Sequence, residues 1–140
     1  MILVGTGNGQ QEIINKVNNL GLTDNVLFLG NRSDVNRVLQ AMDVFLFPSL
    51  YEGLPLSIVE AQAAGLPCVI SDNVPPECIK TDRVFHYSLE KPLDFWANKI
   101  IEAAKIEKKD TYDEIVASGF DIKNNANKLQ NFYTSFCYGE

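Results

Sequence analysis

Residues that bind metal ions or form disulfides are scarce in this sequence. Its 140 residues include one histidine and three cysteines, at positions 68, 78 and 137, with neither CxxC nor CxxH spacing. An odd number of cysteines without metal-ligand spacing favours a reducing compartment and ordinary packing roles. Cys68 lies in the apolar run LPCVIS, and we expect it to be buried as a small hydrophobic residue.

Positive charge and long apolar runs are also lacking. Twelve Lys and Arg residues against eighteen Asp and Glu residues give a net charge of −6, which argues against a nucleic-acid or anionic-membrane partner that needs a basic surface. No apolar run approaches the ~20 residues of a membrane-spanning helix, and no signal peptide opens the chain. The sequence begins almost directly with the predicted strand ILVG, and we therefore expect a fragment of a longer protein.

The residues that are present have the proportions of a globular protein. Hydrophobic residues make up 46% of the sequence and charged residues 21%, which excludes an intrinsically disordered chain. A chain of this length can bury one hydrophobic core. We therefore expect residues 1–140 to form a single domain.

Short apolar runs alternate with helical patterns along the chain. Strands are predicted at residues 2–4, 25–30, 43–49, 67–71 and 83–87. Helices are predicted at residues 10–20, 33–42, from Pro55 onwards, and at 92–104, 113–118 and 122–136. Strands and helices that alternate with short connections predict an α/β fold with a doubly wound parallel sheet.

Two glutamates stand out in the stretch YEGLPLSIVEAQAAGLPCVIS. Glu52 precedes a predicted helix, and Glu60 lies inside that otherwise apolar helix. A structural interpretation makes Ser57 and Glu60 a capping box, in which Ser57 caps the helix and Glu60 bonds back to its N–H. Pro55 favours a second interpretation, because proline suits the first helical turn and would start the helix two residues before Ser57.

In the second interpretation the two carboxylates belong to a ligand site. The helix follows a strand of a parallel sheet, so its N-terminus lies at the sheet edge where such folds bind ligands. Free N–H groups there and the helix dipole suit a phosphate, whereas the Glu60 carboxylate suits ribose hydroxyls. One helix side carries Glu60 among small residues, which would leave room for a ligand: Ser57, Ala61 and Ala64. This pattern predicts a nucleotide clamp.

The same stretch resembles the E-x7-E signature of the family-4 retaining glycosyltransferases. The similarity extends to LVGTGNGQQEI, NVLFLGNRSDVNRVLQAMDVFLFPS and SDNVPPE, in the family's order, over about the first 80 residues. The tail GFDIKNNANKLQNFY is similar to the closing helix of bacterial polysaccharide-synthesis members. The resemblance implies a Rossmann-like domain, the C-terminal half of a GT-B fold whose first strand–helix unit is missing.

The resemblance also implies roles for individual residues. Glu60 would hold the ribose of a nucleotide-sugar donor, and Glu52 would help to position the transferred sugar. The wall along the sugar and diphosphate would be formed by Gly53, Leu54, Pro55, Leu56 and Ser57. Asn31 and Arg32 would flank the base, and Gly7 in the glycine-rich loop is a further candidate donor contact.

The implied enzyme transfers a sugar from a nucleotide diphosphate sugar, expected to be a UDP-sugar, without a metal or other cofactor. Its acceptor would be a glycan or a lipid-linked glycan, bound by an N-terminal domain absent from this sequence. We expect the full-length enzyme to be cytoplasmic, with peripheral association at the inner face of the membrane. Polysaccharide biosynthesis is the implied process, and no nucleic-acid partner is expected.

A cation for the leaving diphosphate is missing from the central part of the sequence. No Lys or Arg lies between Val38 and Ile79, although a developing diphosphate charge needs such a residue when no metal is present. The family supplies an Arg and a Lys from the first strand–helix unit, which this sequence lacks. We therefore expect weak or undetectable donor binding and no turnover by these 140 residues alone.

Two other functions compete with a glycosyltransferase as explanations of the sequence. The loop GTGNG could begin the dinucleotide fingerprint G-x-G-x-x-G, but Gln10 stands where the last glycine belongs and no acidic residue follows the next strand at the required place. A non-catalytic Rossmann-like binding or interaction module remains open, with Glu60 in a capping box and Glu52 as a surface charge. Glu60→Gln separates this module from a transferase, because a capping box tolerates glutamine.

Overall fold

The computed structural model describes residues 1–138, with side chains to residue 136. The side chain of Cys137, for which the sequence predicts a packing role, lies outside this range. The chain divides into two compact units, Met1–Val35 and the residues from Asn36 onward. Each unit is described by itself below.

The first unit is a strand, a helix and a second strand. In chain order these are β1 (Ile2–Val4), α1 (Gln10–Asn19) and β2 (Leu27–Gly30). The strands pair in parallel, with Ile2 opposite Leu27. The predicted second strand began at Asn25, but Asn25 closes a 3-10 turn, and β2 therefore starts later.

The apolar side of α1 is more exposed than its pattern predicts. Ile13 and Leu20, which lie at near-helical spacing, are 44% and 61% exposed, and no residue of α1 is buried. A sheet of two strands offers only a narrow apolar surface. The predicted helix is therefore present, although its apolar residues are not buried.

The second unit contains a three-stranded parallel sheet and most of the helices. Its elements are α2 (Val35–Gln40), β3 (Phe45–Phe47), α3 (Leu56–Ala63), β4 (Cys68–Ser71), β5 (Val84–Tyr87), α4 (Leu93–Ala103), α5 (Tyr112–Ala117) and α6 (Ile122–Tyr138). The strand order is β3-β4-β5. Every residue of the central strand β4 is buried, whereas the residues of β3 are only half-buried. The parallel pairing confirms the predicted α/β class.

A hydrophobic core lies between the sheet and α4. Val69 of β4 packs with Trp96 and Ala103 of the helix. Tyr87 of β5 meets the rings of Phe95 and Trp96 edge-on, with centroids 5.2 Å and 6.2 Å away. Such T-shaped contacts are favoured by the ring quadrupoles. The aromatic residues at the start of α4, whose helical spacing predicts packing, therefore attach this helix to the sheet.

Two prolines begin helices one residue later than the sequence suggests. Pro55 and Pro92 were expected as the first helical residues, but each is the residue just before its helix. Their ψ angles of 100° and 157° are extended, so only the following residue enters the helix. The fixed φ of proline suits both positions, and φ alone does not choose between them.

The last helix, α6, keeps its aromatic residues at the surface. Phe132, Tyr133 and Phe136, whose helical spacing predicts packing, are 55%, 60% and 74% exposed. They contact one another instead, with Phe132 in edge-on contact with both neighbours. Among residues 1–138, none of the helices has the length and apolar character needed to cross a bilayer.

Candidate functional site

The loop between β3 and α3 fixes Glu52 through a serine. Ser49 lies two residues beyond the end of β3, and its hydroxyl donates a hydrogen bond of 2.7 Å to Oε1 of Glu52. The Ser71 hydroxyl, at the end of the neighbouring strand β4, donates to the backbone carbonyl of Ser49. Glu52 is half-buried. The carboxylate is thus held at the edge of the sheet, just before α3 begins.

Glu60 lies further along α3 and faces solvent. Ser57 is already inside the helix, whose N-terminal flanking residue is Pro55, and no side chain makes a capping hydrogen bond there. The capping-box interpretation needs Ser57 at the boundary and is therefore wrong. With no bond to its own first turn, the Glu60 carboxylate is free to meet a ligand.

The N-terminus of α3 offers backbone donors beside exposed apolar side chains. Leu54 and Leu56 are 49% and 57% exposed, whereas Pro55 is buried. The expected small-residue side is only partly open, because Ala61 is fully buried. Ala61 follows Glu60 directly and faces the core, because successive residues point in different directions around a helix. Any space for a ligand beside Glu60 therefore does not include the surface of Ala61.

A buried glutamine in α3 was not foreseen. Gln62 is fully buried, and its amide donates to the carbonyls of Ile58 and Cys78 at 3.1 Å and 2.7 Å. Its side-chain oxygen accepts from the N–H groups of Lys80 and Thr81 at 2.7 Å and 3.0 Å. Gln62 lies next to Ala61 and Ala63 in a mostly apolar helix, and a polar residue on its apolar side is the sequence signal that could have revealed it. These bonds fix α3, and with it the backbone that carries Glu60.

The first unit contains the other predicted site residues. Arg32 forms two hydrogen bonds of 2.7 Å with the carboxylate of Asp34. This bidentate pair lowers the pKa of Asp34 and raises that of Arg32, chiefly through the hydrogen bonds themselves. Both groups are solvent-accessible. Because Arg32 is already paired with Asp34, its interaction with an anionic ligand would be weaker than that of an unpaired arginine.

Asn31 and Gly7 flank the same loop region of the first unit. The Thr6 hydroxyl donates to Oδ1 of Asn31 at 3.3 Å, so that the asparagine amide hydrogens remain available. A Cβ placed on Gly7 would meet no atom within 4 Å. Packing within this structure therefore does not require glycine at position 7.

An apolar cavity of the second unit lies apart from these two glutamates. A cavity of about 320 Å³ in the second unit has an almost wholly apolar lining that includes Leu46, Leu89 and Trp96. Neither Glu52 nor Glu60 lines it. Among the side chains that the structure describes, those of residues 1–136, no cluster of three or more His, Cys, Asp or Glu could hold a metal ion.

Comparison with known proteins shows similarity to glycosyltransferases along most of the sequence. Residues 1–105 match the family described as Glycosyl transferases group 1. EpsF of Bacillus subtilis (strain 168), whose name assigns it provisionally to the glycosyltransferases, is 39% identical over 95% of this chain. The UDP-Gal:alpha-D-GlcNAc-diphosphoundecaprenol alpha-1,3-galactosyltransferase of Escherichia coli is 32% identical over 94% of it. The chain spans 36% of the length of each of these curated relatives.

Solved structures agree on the fold. Anabaena HepE in complex with UDP superimposes with a TM-score of 0.70 at 23% identity, covering 96% of this chain and 40% of HepE. The complex of HepE with UDP-glucose gives a TM-score of 0.69 at 22% identity, covering the same shares of both chains. This likeness confirms the predicted fold class, a Rossmann-like parallel α/β domain of the kind that forms the C-terminal half of a GT-B fold.

Proposed function

Because the chain belongs to the group 1 glycosyl transferases, we propose that it is the donor-binding part of a retaining glycosyltransferase. The donor is a nucleotide diphosphate sugar, and the names of the E. coli galactosyltransferase and of the HepE complexes favour a UDP-sugar. The acceptor is a glycan or lipid-linked glycan in polysaccharide biosynthesis, bound by another part of the whole protein. The diphosphoundecaprenol in the E. coli relative's name supports a lipid-linked acceptor.

The arrangement of two carboxylates around the start of α3 carries this proposal. Glu52 is held before the helix by Ser49 at 2.7 Å, and Glu60 is exposed with no capping role to occupy it. We assign Glu60 to the ribose hydroxyls, which a carboxylate binds through charge-assisted hydrogen bonds. Glu52 then positions the transferred sugar. These two residues form the E-x7-E pair of the proposed enzyme.

Backbone groups supply the rest of the proposed donor site. N–H groups at the start of α3, aided by the helix dipole, suit the diphosphate. The wall along the sugar and diphosphate is assigned to Gly53, Leu54, Pro55, Leu56 and Ser57. Contact of Asn31, Arg32 and Gly7 with the base and its surroundings stays a prediction from the family resemblance.

Catalysis in this proposal rests on positioning and on charge stabilisation, with no metal and no other cofactor. The leaving diphosphate needs positive charge, and the sequence has no Lys or Arg between Val38 and Ile79. Backbone N–H groups alone offset that charge poorly. We therefore expect the 140-residue chain to bind the donor weakly and to catalyse no transfer by itself.

The proposed location of the whole enzyme is the cytoplasm, with peripheral association at the inner face of the membrane. A water-soluble nucleotide sugar and a lipid-linked acceptor meet at such a surface. The acidic balance of this chain, with a net charge of −6, makes an electrostatic anchor on anionic lipids unfavourable here. Membrane contact is therefore assigned to the rest of the protein.

An NMR titration of the 140-residue chain tests the proposal. Millimolar UDP-glucose should shift the backbone amide signals of Gly53, Leu56 and Ser57. The Glu60→Gln variant should bind about tenfold more weakly, because a neutral amide gives up the charge-assisted bond to ribose. Glu107→Gln is the matched control, since Glu107 is also exposed and makes no side-chain hydrogen bond among the described residues.

Two outcomes would contradict the proposal. If saturating UDP-glucose leaves the amides at the start of α3 unmoved, the chain is better explained as a non-catalytic interaction module. Sugar transfer by the 140-residue chain alone would contradict the expected need for a cation from outside it. Equal loss of affinity in the Glu60→Gln and Glu107→Gln variants would remove Glu60 from the ribose site.

A further inference from the structure

A chain of three polar groups runs from a buried strand to Glu52. Ser71 is the last residue of β4 and is fully buried. Its hydroxyl donates to the carbonyl of Ser49, and the Ser49 hydroxyl donates to Oε1 of Glu52 at 2.7 Å. These groups come from residues up to 22 positions apart in the sequence, so the connection exists only in the folded chain.

We infer that Ser49, held by Ser71, is a positioning residue that sets the Glu52 carboxylate for the transferred sugar of the donor. This inference rests on the proposed function, because it gives Glu52 a sugar to position. Neither serine needs to touch the ligand. Their effect is transmitted through the carboxylate that Ser49 holds.

The geometry explains why the serine hydroxyl favours Glu52 over a local turn. A hydroxyl carries one hydrogen, and Ser49 has two acceptors within reach, the Tyr51 carbonyl at 3.3 Å and Glu52 at 2.7 Å. The shorter bond, to a charged oxygen, is the stronger of the two. Among the described residues, no other hydrogen-bond donor reaches Glu52. One carboxylate oxygen is thus held, and the second remains available for a sugar hydroxyl.

The end of the β3–β4 ladder explains why Ser71 is the anchor. Pairing in register joins Phe47 to Ile70, which brings Pro48 opposite Ser71. Proline has no N–H and ends the regular ladder there. The buried Ser71 hydroxyl instead bonds the next carbonyl along, that of Ser49. The loop therefore leaves the sheet at a fixed point, from which the short Ser49 side chain reaches Glu52.

Pre-organisation is the physical benefit of this arrangement. A free glutamate side chain samples several rotamers, and fixing it upon binding costs affinity. Holding the carboxylate beforehand transfers that cost to folding. The gain in affinity applies to the sugar that Glu52 contacts. It should therefore be absent for UDP, which lacks the sugar.

The test compares UDP-glucose with UDP on the 140-residue chain by NMR titration. Ser49→Ala should weaken UDP-glucose binding about tenfold while changing the affinity for UDP by less than about twofold. Ser49→Thr keeps the hydroxyl and should restore most of the loss. Ser118→Ala is the control, because that hydroxyl bonds only its own helix, at Glu114.

A double-mutant cycle with Glu52→Gln shows whether Ser49 acts through the carboxylate. In the Glu52→Gln background, Ser49→Ala should cause little further loss of UDP-glucose affinity. Equal weakening of UDP and UDP-glucose by Ser49→Ala, or additive losses in the cycle, would overturn the positioning role and leave the proposed function intact. A parent chain that binds neither ligand even at millimolar concentration would contradict the weak donor binding proposed for this chain, and this inference with it.

Discussion

Gly65, just after α3, occupies a position that excludes every other residue type on two grounds. Its φ of +74° lies in the left-handed region, where a Cβ is unfavourable. A Cβ built there would also overlap the backbone carbonyl oxygen of Lys109. Because that obstacle is main chain, no side-chain rotation relieves it.

We therefore expect Gly65→Ala to lower the free energy of unfolding by about 2–4 kcal/mol, from conformational strain and overpacking combined. Gly53→Ala is the matched control, since a Cβ there meets no atom within 4 Å and its φ is not positive. That control should stay within ~0.5 kcal/mol of the parent. Urea denaturation measures both, and equal stabilities would show that the Lys109 segment moves aside freely.

The buried thiol of Cys68 makes the free energy of unfolding decrease at high pH. Burial raises the pKa of its thiol from 9.0 to about 12, so unfolding releases a proton once the pH exceeds 9. A folded-state pKa above the unfolded value means that this stability is complete below pH 9 and is lost towards pH 12. Between pH 8 and pH 10.5, the parent should lose about 2 kcal/mol through this thiol.

Cys68→Ala isolates that contribution, because alanine cannot ionise and its packing loss does not depend on pH. The difference in unfolding free energy between parent and variant should therefore shrink as the pH rises. Denaturant titrations at the two pH values measure it. A constant difference would mean that the Cys68 thiol is as accessible to ionisation in the folded protein as in the unfolded one.

The sequence was informative about single residues where local surroundings decide their state. Cys68 sits in an apolar run, and its predicted burial is confirmed, with no exposed surface. Ser71 and Gln62 acquire their roles from partners far along the chain, at Ser49, Cys78 and Thr81. Their hydrogen bonds could not be read from one sequence, because they depend on which strand and loop become neighbours.

At the level of elements, α3 is attached to its surroundings by polar bonds as well as by packing. The Gln62 side chain joins the helix to the segment from Cys78 to Thr81, and the Gln62 carbonyl accepts a bond of 2.6 Å from the Thr111 hydroxyl just before α5. A buried network of this kind is stable only while each member has its partner. The Gln62 side chain therefore contributes to the position of α3 in addition to packing.

Replacing Gln62 by methionine keeps the side-chain volume but removes the bonds. The Cys78 carbonyl and the N–H groups of Lys80 and Thr81 would lose their partner, and we expect a destabilisation of about 2–5 kcal/mol. Gln40→Met is the control, because Gln40 is an exposed glutamine of α2. Thermal unfolding compares them, and a neutral Gln62→Met would indicate that water replaces the amide.

Element order was predictable because apolar runs and helical spacing are local signals. Strand and helix alternation, the positive φ at Gly21 after α1 and the parallel pairing all follow from such patterns. Boundaries at Pro55 and Pro92 were one residue off, since the φ of proline fits both sides of a helix start. The exposure of α1 was not predictable, because an apolar stripe does not reveal how wide a surface covers it.

At the scale of the whole molecule, burial is distributed unevenly between the two units. No residue of the first unit, Met1–Val35, is buried, whereas β4 in the second unit is buried along its entire length. Burial of apolar area is the main favourable term in folding. A unit without buried residues therefore has little to oppose its own local opening.

Native-state hydrogen exchange should make this difference visible with two matched backbone amides. Leu27 N–H bonds Met1 in the first unit, and Cys68 N–H bonds Arg83 in the second, both at 2.9 Å in parallel sheets. Leu27 is 55% exposed and Cys68 fully buried. Because the two hydrogen bonds have the same length, we expect burial to determine the difference in protection. The free energy of opening should be about 2 kcal/mol or more lower for the Leu27 amide than for the Cys68 amide. Equal protection would mean that both units open together, and that hydrogen bonding rather than burial sets local stability here.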